Sequence, residues 1–243
     1  MLENYKIDHI LFLDVETVPQ VYDFKDVPER AKYLFNEKVK NQVNEEVTVE
    51  QLYRQRGGIL AEFGKIICIS VGYIQKIDDE YKLRLKSFYG DNEKKILEDF
   101  STLLNKSFKN EKEDVLCAHN GKEFDFPYLC RRMLVNGIKI PKILQIMGKK
   151  PWEINHIDTL EFWKFGDYKH YTSLELLTEI FGIPSPKDDI KGSDVARVYW
   201  EENNLNRIAK YCQKDVLALV QLFLRFKGES MLKEDDMIFV DGE

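Results

Sequence analysis

Cysteine and histidine are scarce in this chain, and neither is spaced for chelation. The four cysteines stand at positions 68, 117, 130 and 212 with no Cys-x-x-Cys pair, and the four histidines include no ligand spacing. That excludes a disulfide framework or a zinc ribbon and reads as reduced core thiols in a cytosolic protein. No apolar run approaches the ~20 residues that a membrane-spanning helix needs. The start, Met1-Leu2-Glu3-Asn4, has no basic region before an apolar stretch, so no secretory signal is expected. Net charge is also small, with 36 Lys+Arg against 42 Asp+Glu for a formal −6. Residues 228–243 contribute −5 of this, which leaves the body at −1. A near-neutral body argues against tight, unspecific coating of nucleic acid, which relies on many phosphate contacts. It leaves room for an enzyme that grips a strand briefly. Internal repeats and low-complexity linkers are absent. What remains is 243 residues, 44% apolar, enough for one large domain or one domain with an elaboration.

Ile10-Leu11-Phe12-Leu13 is a short apolar run that ends in Asp14-Val15-Glu16, with Pro19 closing it, the pattern of a buried strand. Ile66 to Tyr73 is a second β-branched run, and Leu83 to Phe88 alternates as a half-buried or edge strand does. A helix is predicted from Asn92 to Leu104 with Asp91 as N-cap, then a buried strand at Val115 to Ala118. Pro127 marks a first helical turn and Gly137 its stop; Ile154 to Leu160 reads as a strand. Ser173 to Phe181 is a helix closed by Gly182 and Pro184, Ser193 caps a short helix through Trp200, and Leu205 to Phe226 forms a long final helix. The order describes an α/β domain, a mixed sheet flanked by helices, over residues 1–227. Residues 20–62 interrupt it as a helical insertion, with Pro28 to Val43 helical and a capping box at Thr48-Val49-Glu50-Gln51. It is either a surface decoration or a lid through which Arg54 and Arg56 reach a phosphate. The acidic tail, 228–243, is expected to be mobile.

Three weak signals carry chemistry. In a strand, residues two apart share a face, so Asp14 and Glu16 project together from a buried strand end. Two such carboxylates repel unless a cation lies between them or one stays protonated, and an all-oxygen set suits Mg²⁺ or Mn²⁺. His119-Asn120-Gly121-Lys122-Glu123-Phe124-Asp125 follows a strand and offers a carboxylate, an amide and a ring at a strand-to-helix turn. A ring there can stack on a base and an amide can bond sugar or base edges. Tyr211 and Asp215 are four apart, on the helical face that Ile208, Leu219 and Leu222 turn toward the protein. A carboxylate on that face is costly unless paired or metal-bound.

Taken together, Asp14-x-Glu16, Asn120-x-x-x-Phe124-Asp125 and Tyr211-x-x-x-Asp215 resemble the motifs of the DEDD superfamily of 3′–5′ exonucleases, in its tyrosine-bearing (DEDDy) branch. The chain is similar to the stand-alone bacterial family related to the exonuclease domain of family B DNA polymerases. Glu62-Phe63-Gly64-Lys65-Ile66 to Gly72, Gly148-Lys149-Lys150-Pro151-Trp152, Asp158-Thr159-Leu160 and Tyr171-Thr172-Ser173-Leu174 extend the likeness to about residue 226. The resemblance implies a ribonuclease H-like fold, two divalent cations (Mg²⁺ or Mn²⁺), and hydrolysis of single-stranded DNA 3′ ends to nucleoside 5′-monophosphates. It implies that Asp14 bridges both ions, that Glu16 and Asp215 complete the first, and that Asp125 holds the second through water. Tyr211 would orient the attacking water, since a phenol of pKa ~10 is a poor base at neutral pH. Thr17 and Val18 would bracket the terminal nucleotide through backbone groups, with Asn120, Phe124 and Lys122 as further substrate contacts.

Lys149, Lys150, Arg131 and Arg132 are candidate phosphate contacts, and His119 could touch a phosphate. His156 and His170 read as surface or loop residues; Asp194 and the Asp188-Asp189 pair read as loop or cap acids. An exoribonuclease of the same superfamily is the alternative, because two-metal chemistry acts on the phosphate while neighbouring contacts read the 2′-OH. A catalytically silent nucleic-acid-binding module would be expected to lack an acid, and all four are present. No polymerase-sized region follows, so proofreading would be supplied in trans to a polymerase or repair partner.

Overall fold

The computed structural model describes residues 2–77, 80–110, 112–167, 169, 171–184 and 190–240. The apolar runs form the predicted strands, and the tail adds one more: β1 (Ile10–Pro19), β2 (Gly64–Ile77), β3 (Glu80–Tyr89), β4 (Val115–Ala118), β5 (Ile157–Asp158) and β6 (Met237–Phe239). Their order is β5-β4-β1-β2-β3-β6. β1–β2 and β2–β3 are antiparallel, while β4 on β1, β5 on β4 and β6 on β3 are parallel. Helices α1 (Glu29–Val39), α2 (Val49–Arg56), α3 (Glu93–Ser107), α4 (Asp125–Val135), α5 (Thr159–Lys164), α6 (Leu174–Ile180), α7 (Val195–Trp200) and α8 (Leu205–Lys227) complete a mixed α/β architecture of ribonuclease H-like type.

Alternation along β1 sorts its side chains between two layers. Leu11, Leu13 and Val15 pack with Ile96, Phe100 and Leu104 of α3 and Phe126, Leu129 and Met133 of α4. Ile10 and Phe12 pack instead with Val216, Leu219 and Phe223 of α8, and Val18 with Ile208 and Cys212. Each of these side chains contributes about 1.5–3 kcal/mol when fully buried. Asp14 and Glu16 fall in the α8-facing set by register alone. The β1–β2 ladder slips by one residue between Glu16 and Thr17, a bulge of the kind that re-aims side chains at a strand end.

Residues 20–62 share a core with the adjoining Phe63, where Phe24, Phe35, Tyr53 and Phe63 pack ring against ring. The Thr48 capping box is present, and Arg56 bonds Gln42 inside the insertion. The insertion closes against β1 at Gly58 and against the start of β2 at Gly64. A Cβ on Gly64 would lie 2.3 Å from both the Gly58 carbonyl oxygen and Tyr128 Oη, so only hydrogen fits. Tyr128 Oη in turn donates to the Gly58 carbonyl (2.6 Å).

Several local expectations change. Asn92, not Asp91, caps α3 by accepting from Lys95 N; Asp91 accepts the Tyr199 hydroxyl at 2.7 Å. The strand expected over Ile154–Leu160 is only Ile157–Asp158, because the Asp158 carboxylate accepts the Leu160 N–H and starts α5. Asp194 rather than Ser193 precedes α7. Residues 237–239 of the tail expected to be mobile pair with β3, where Lys82 Nζ also meets Asp236 Oδ1 at 2.7 Å. His170, Asp188 and Asp189 lie outside the described residues. All four cysteines are free, and among the described residues no helix is long and apolar enough to cross a membrane.

Candidate active site

The register of β1 points Asp14 and Glu16 at α8, where Cys212 and Tyr211 approach them. Ligand atoms of Asp14, Glu16 and Cys212 lie within 4.8 Å of one another. Cys212 Sγ–H donates to Asp14 Oδ2 at 3.2 Å. Tyr211 hydrogen-bonds to Asp215 one turn on; Asp215 pushes on Glu16, and Glu16 and Asp14 push on the Tyr211 phenol. Asp125, buried in the first turn of α4, reaches the same place, because the Val15 N–H serves both its carboxyl and that of Asp14. The six residues therefore converge from three segments far apart in sequence.

Their electrostatics are those of crowded like charge. Burial lifts the Asp14 carboxyl to about 6, although the Cys212 thiol and the Val15 N–H pull it down. Burial lifts Glu16 well above the carboxylate range, and Asp14, Asp215, Cys68 and Asp125 all push the same way. Asp125 is raised well above it too, by burial and then by Asp14. The Tyr211 phenol is driven up by burial and then by Asp215, Glu16 and Asp14. A cation would relieve this repulsion, and hard carboxylate oxygens are the donors that Mg²⁺ and Mn²⁺ prefer. The donor set fits a divalent cation.

The turn leading to Asp125 is built by a residue to which sequence reasoning assigns no role. Asp158, buried, accepts the N–H groups of Asn120 (2.9 Å), Lys122 (3.0 Å) and Leu160 (3.0 Å). Asn120 takes φ 61°, and a Cβ on Gly121 would lie 2.4 Å from that of Ala118. Three acceptor bonds on one carboxylate are the signature of a loop clamp, but Asp158 carries no spacing signal that announces it. Tyr171 has no role that its sequence context predicts; it is exposed and feels the charges of Asp125 and Asp158.

Other expected contacts fare differently. Phe124 packs on Tyr128 at the start of α4, and the Thr17 hydroxyl bonds Tyr128. Val18 is fully buried against Ile190, Val195 and Cys212, with Gly58 laid over its backbone, so it belongs to the core. Lys122 Nζ is paired with Glu161 at 2.8 Å. His119 has both ring nitrogens engaged, by Thr159 Oγ1 and the Thr172 carbonyl, and burial lowers its pKa. His156 is not a surface residue: Nδ1 accepts the Leu116 N–H, Nε2 donates to the Ile143 carbonyl, and burial pushes its pKa down to about 4. Arg132 is not a phosphate contact. It is buried in a bidentate pair with Glu93 (2.6 and 2.8 Å) and donates to the Ala61 carbonyl.

A ribonuclease H-like sheet with carboxylates gathered between its central strand and last helix defines a protein of nuclease-like, metal-binding type. Residues 59–237 match the family described as "predicted 3′–5′ exonuclease related to the exonuclease domain of PolB", and the chain belongs to that family. Asp14 and Glu16 lie ahead of the matched residues, so their place in the site rests on geometry. The DNA polymerase of Pyrococcus horikoshii is 26% identical over 237 residues, covering 86% of this chain and 18% of its own length. DNA polymerase 1 of Pyrococcus abyssi is 26% identical over 230 residues, covering 86% of this chain and 29% of its own. The chain thus spans less than a third of these relatives. The solved family B DNA polymerase of Pyrobaculum calidifontis shares the fold, with TM-score 0.51 and 18% identity over 89% of this chain and 24% of that one. Family and acidic cluster together support a metal-dependent nuclease-like activity.

Proposed function

We propose that the chain is a DEDDy-type 3′–5′ exonuclease that releases nucleoside 5′-monophosphates from single-stranded DNA ends. The observation that carries this reading is the convergence of Asp14, Glu16, Asp125 and the Tyr211–Asp215 pair in one partly buried cluster of like charge. Asp14, Glu16 and Asp215 would hold one divalent cation, and Asp14 with Asp125 a second. When bound, such cations acidify the attacking water and stabilise the attacking and leaving oxygens of an in-line displacement. The Tyr211 phenol, raised above its ordinary range, keeps its proton at neutral pH. It therefore orients the water by hydrogen bonding, and Asp215 fixes its direction. Asn120 and Phe124, on the turn clamped by Asp158, would meet the sugar and base of the terminal nucleotide, with Thr17 at the strand end.

The test is incubation of 5′-labelled single-stranded DNA and RNA with Mg²⁺, Mn²⁺ or EDTA. A metal-dependent ladder shortening from the 3′ end is expected, faster on DNA; a faster RNA ladder makes the protein an exoribonuclease. Asp215→Ala should abolish turnover and leave the circular dichroism spectrum unchanged. Intact substrate under every condition, or near-native activity in that variant, rejects the assignment.

A further inference from the structure

The helix that delivers Asp125 has a second face. Pro127, Cys130, Arg131 and Leu134 follow the i, i+3, i+4, i+7 rule along the outside of α4 and form one wall of a cavity of about 820 Å³. The opposite wall is the irregular segment 138–154. That wall is fixed rather than loose: the Leu144 carbonyl accepts Cys130 Sγ at 3.3 Å, and the Ile143 carbonyl takes the His156 ring that also bonds β4. The floor is apolar, and Met147 on its edge is 79% exposed. Arg131, Lys139 and Lys149 supply its cationic lining, with Lys122, already paired with Glu161, at one end, and no carboxylate is among the lining residues described. Just past lining residue Pro151, the Trp152 ring stands 75% exposed under Lys150 Nζ.

One end of this groove is Lys122, in the turn that presents Asn120 and Asp125. The groove therefore ends beside the turn that carries two of the candidate site residues. Cations spaced along an apolar trough, with an exposed indole at the rim, match a flexible polyanion whose rings can stack. We propose that the groove is the track of the single-stranded nucleic acid, holding the few nucleotides on the 5′ side of the scissile end. The inference rests on the exonuclease reading above and adds to it where the body of the strand lies. It also explains how a body of almost no net charge grips a polyanion: the charge is local, not global.

The test uses the double variant Arg131→Ala/Lys149→Ala and the single variant Trp152→Ala, all at exposed positions, with thermal melts to check folding. Labelled oligothymidylates of increasing length are titrated in EDTA at several salt concentrations. Turnover is measured separately on those oligonucleotides and on the p-nitrophenyl ester of thymidine 5′-monophosphate, which is too small to enter the groove. The double variant should bind long oligonucleotides about tenfold more weakly and with a shallower salt slope, by about one for each phosphate no longer neutralised. Trp152→Ala should lose a similar, salt-independent factor. KM on long substrates should rise with kcat held, and ester hydrolysis should not change. Unchanged affinity and salt slope in the double variant overturn the track and leave an acidic amphipathic peptide as the occupant to test. Ester hydrolysis by the wild type decides the exonuclease reading separately, because that readout does not involve the groove.

Discussion

Removing a carboxylate of the candidate site should make the metal-free protein more stable. Asp14 is lifted from 3.8 to about 6 by burial, so holding it ionised in the folded state opposes folding. A shift of that size corresponds to about 3 kcal/mol once the group is fully charged. The folded carboxyl keeps its proton more tightly than the unfolded one. The penalty is therefore absent below about pH 4, grows as pH rises toward about 6, and is complete above it. Asp14→Asn removes the charge and also relieves Glu16 and Asp125, both of which feel it. The buried amide returns part of the gain, leaving about 1–2 kcal/mol. For a chain of this size that is about 3–6 °C in Tm. The assay is thermal unfolding in EDTA between pH 4 and 8, repeated with excess Mn²⁺. The variant should melt higher at pH 8, fall below the wild type at pH 4 where only the amide cost remains, and fail to gain from Mn²⁺ what the wild type gains by mass action. A variant that melts at or below the wild type at pH 8, or with an advantage independent of pH, would falsify this account of the cluster.

Tyr211→Phe should lower kcat by about tenfold to a hundredfold if its hydroxyl orients water as proposed, and cost no more than about 1 kcal/mol, the worth of its bond to Asp215; single-turnover rates and a melt decide it. Arg132→Met should cost about 3–5 kcal/mol in urea unfolding, because it strands the Glu93 carboxylate that also holds Ile66 N and Asn136. Asp158→Asn should cost about 1–3 kcal/mol and also raise KM, because one amide oxygen cannot accept the three N–H groups that shape the Asn120 turn. Equal KM in that variant would show the turn to be set elsewhere.

What the sequence discloses here is what depends on local periodicity. The two-residue spacing of Asp14 and Glu16, the four-residue spacing of Tyr211 and Asp215, and the Thr48 capping box each specify geometry within one element. The alternation in β1 and the apolar face of α8 are legible for the same reason. Arg132 and His156 elude a sequence reading because their roles depend on partners 39 and 40 residues away in the chain. A basic or titratable side chain has no local mark that separates a buried, satisfied state from a solvated one. Val18 eludes it because its fate depends on the insertion that folds back over it. Residues 237–239 lack the apolar alternation of a buried strand because they pair on one side only, along β3.

That last pairing has a consequence for how the molecule behaves among its own copies. Without β6, the ten-residue strand β3 would be an open rim of the sheet, with a row of free amide and carbonyl groups available to any extended chain. Met237–Phe239 fill part of that row, and Val240 N adds a further bond to the Leu85 carbonyl at 2.8 Å. Glu234, Asp235 and Asp236 stand immediately before them. The segment whose composition is that of a solvated appendage is in effect a gatekeeper: it occupies part of the sheet's adhesive margin and sets negative charge beside it, which disfavours edge-to-edge pairing with a second copy there.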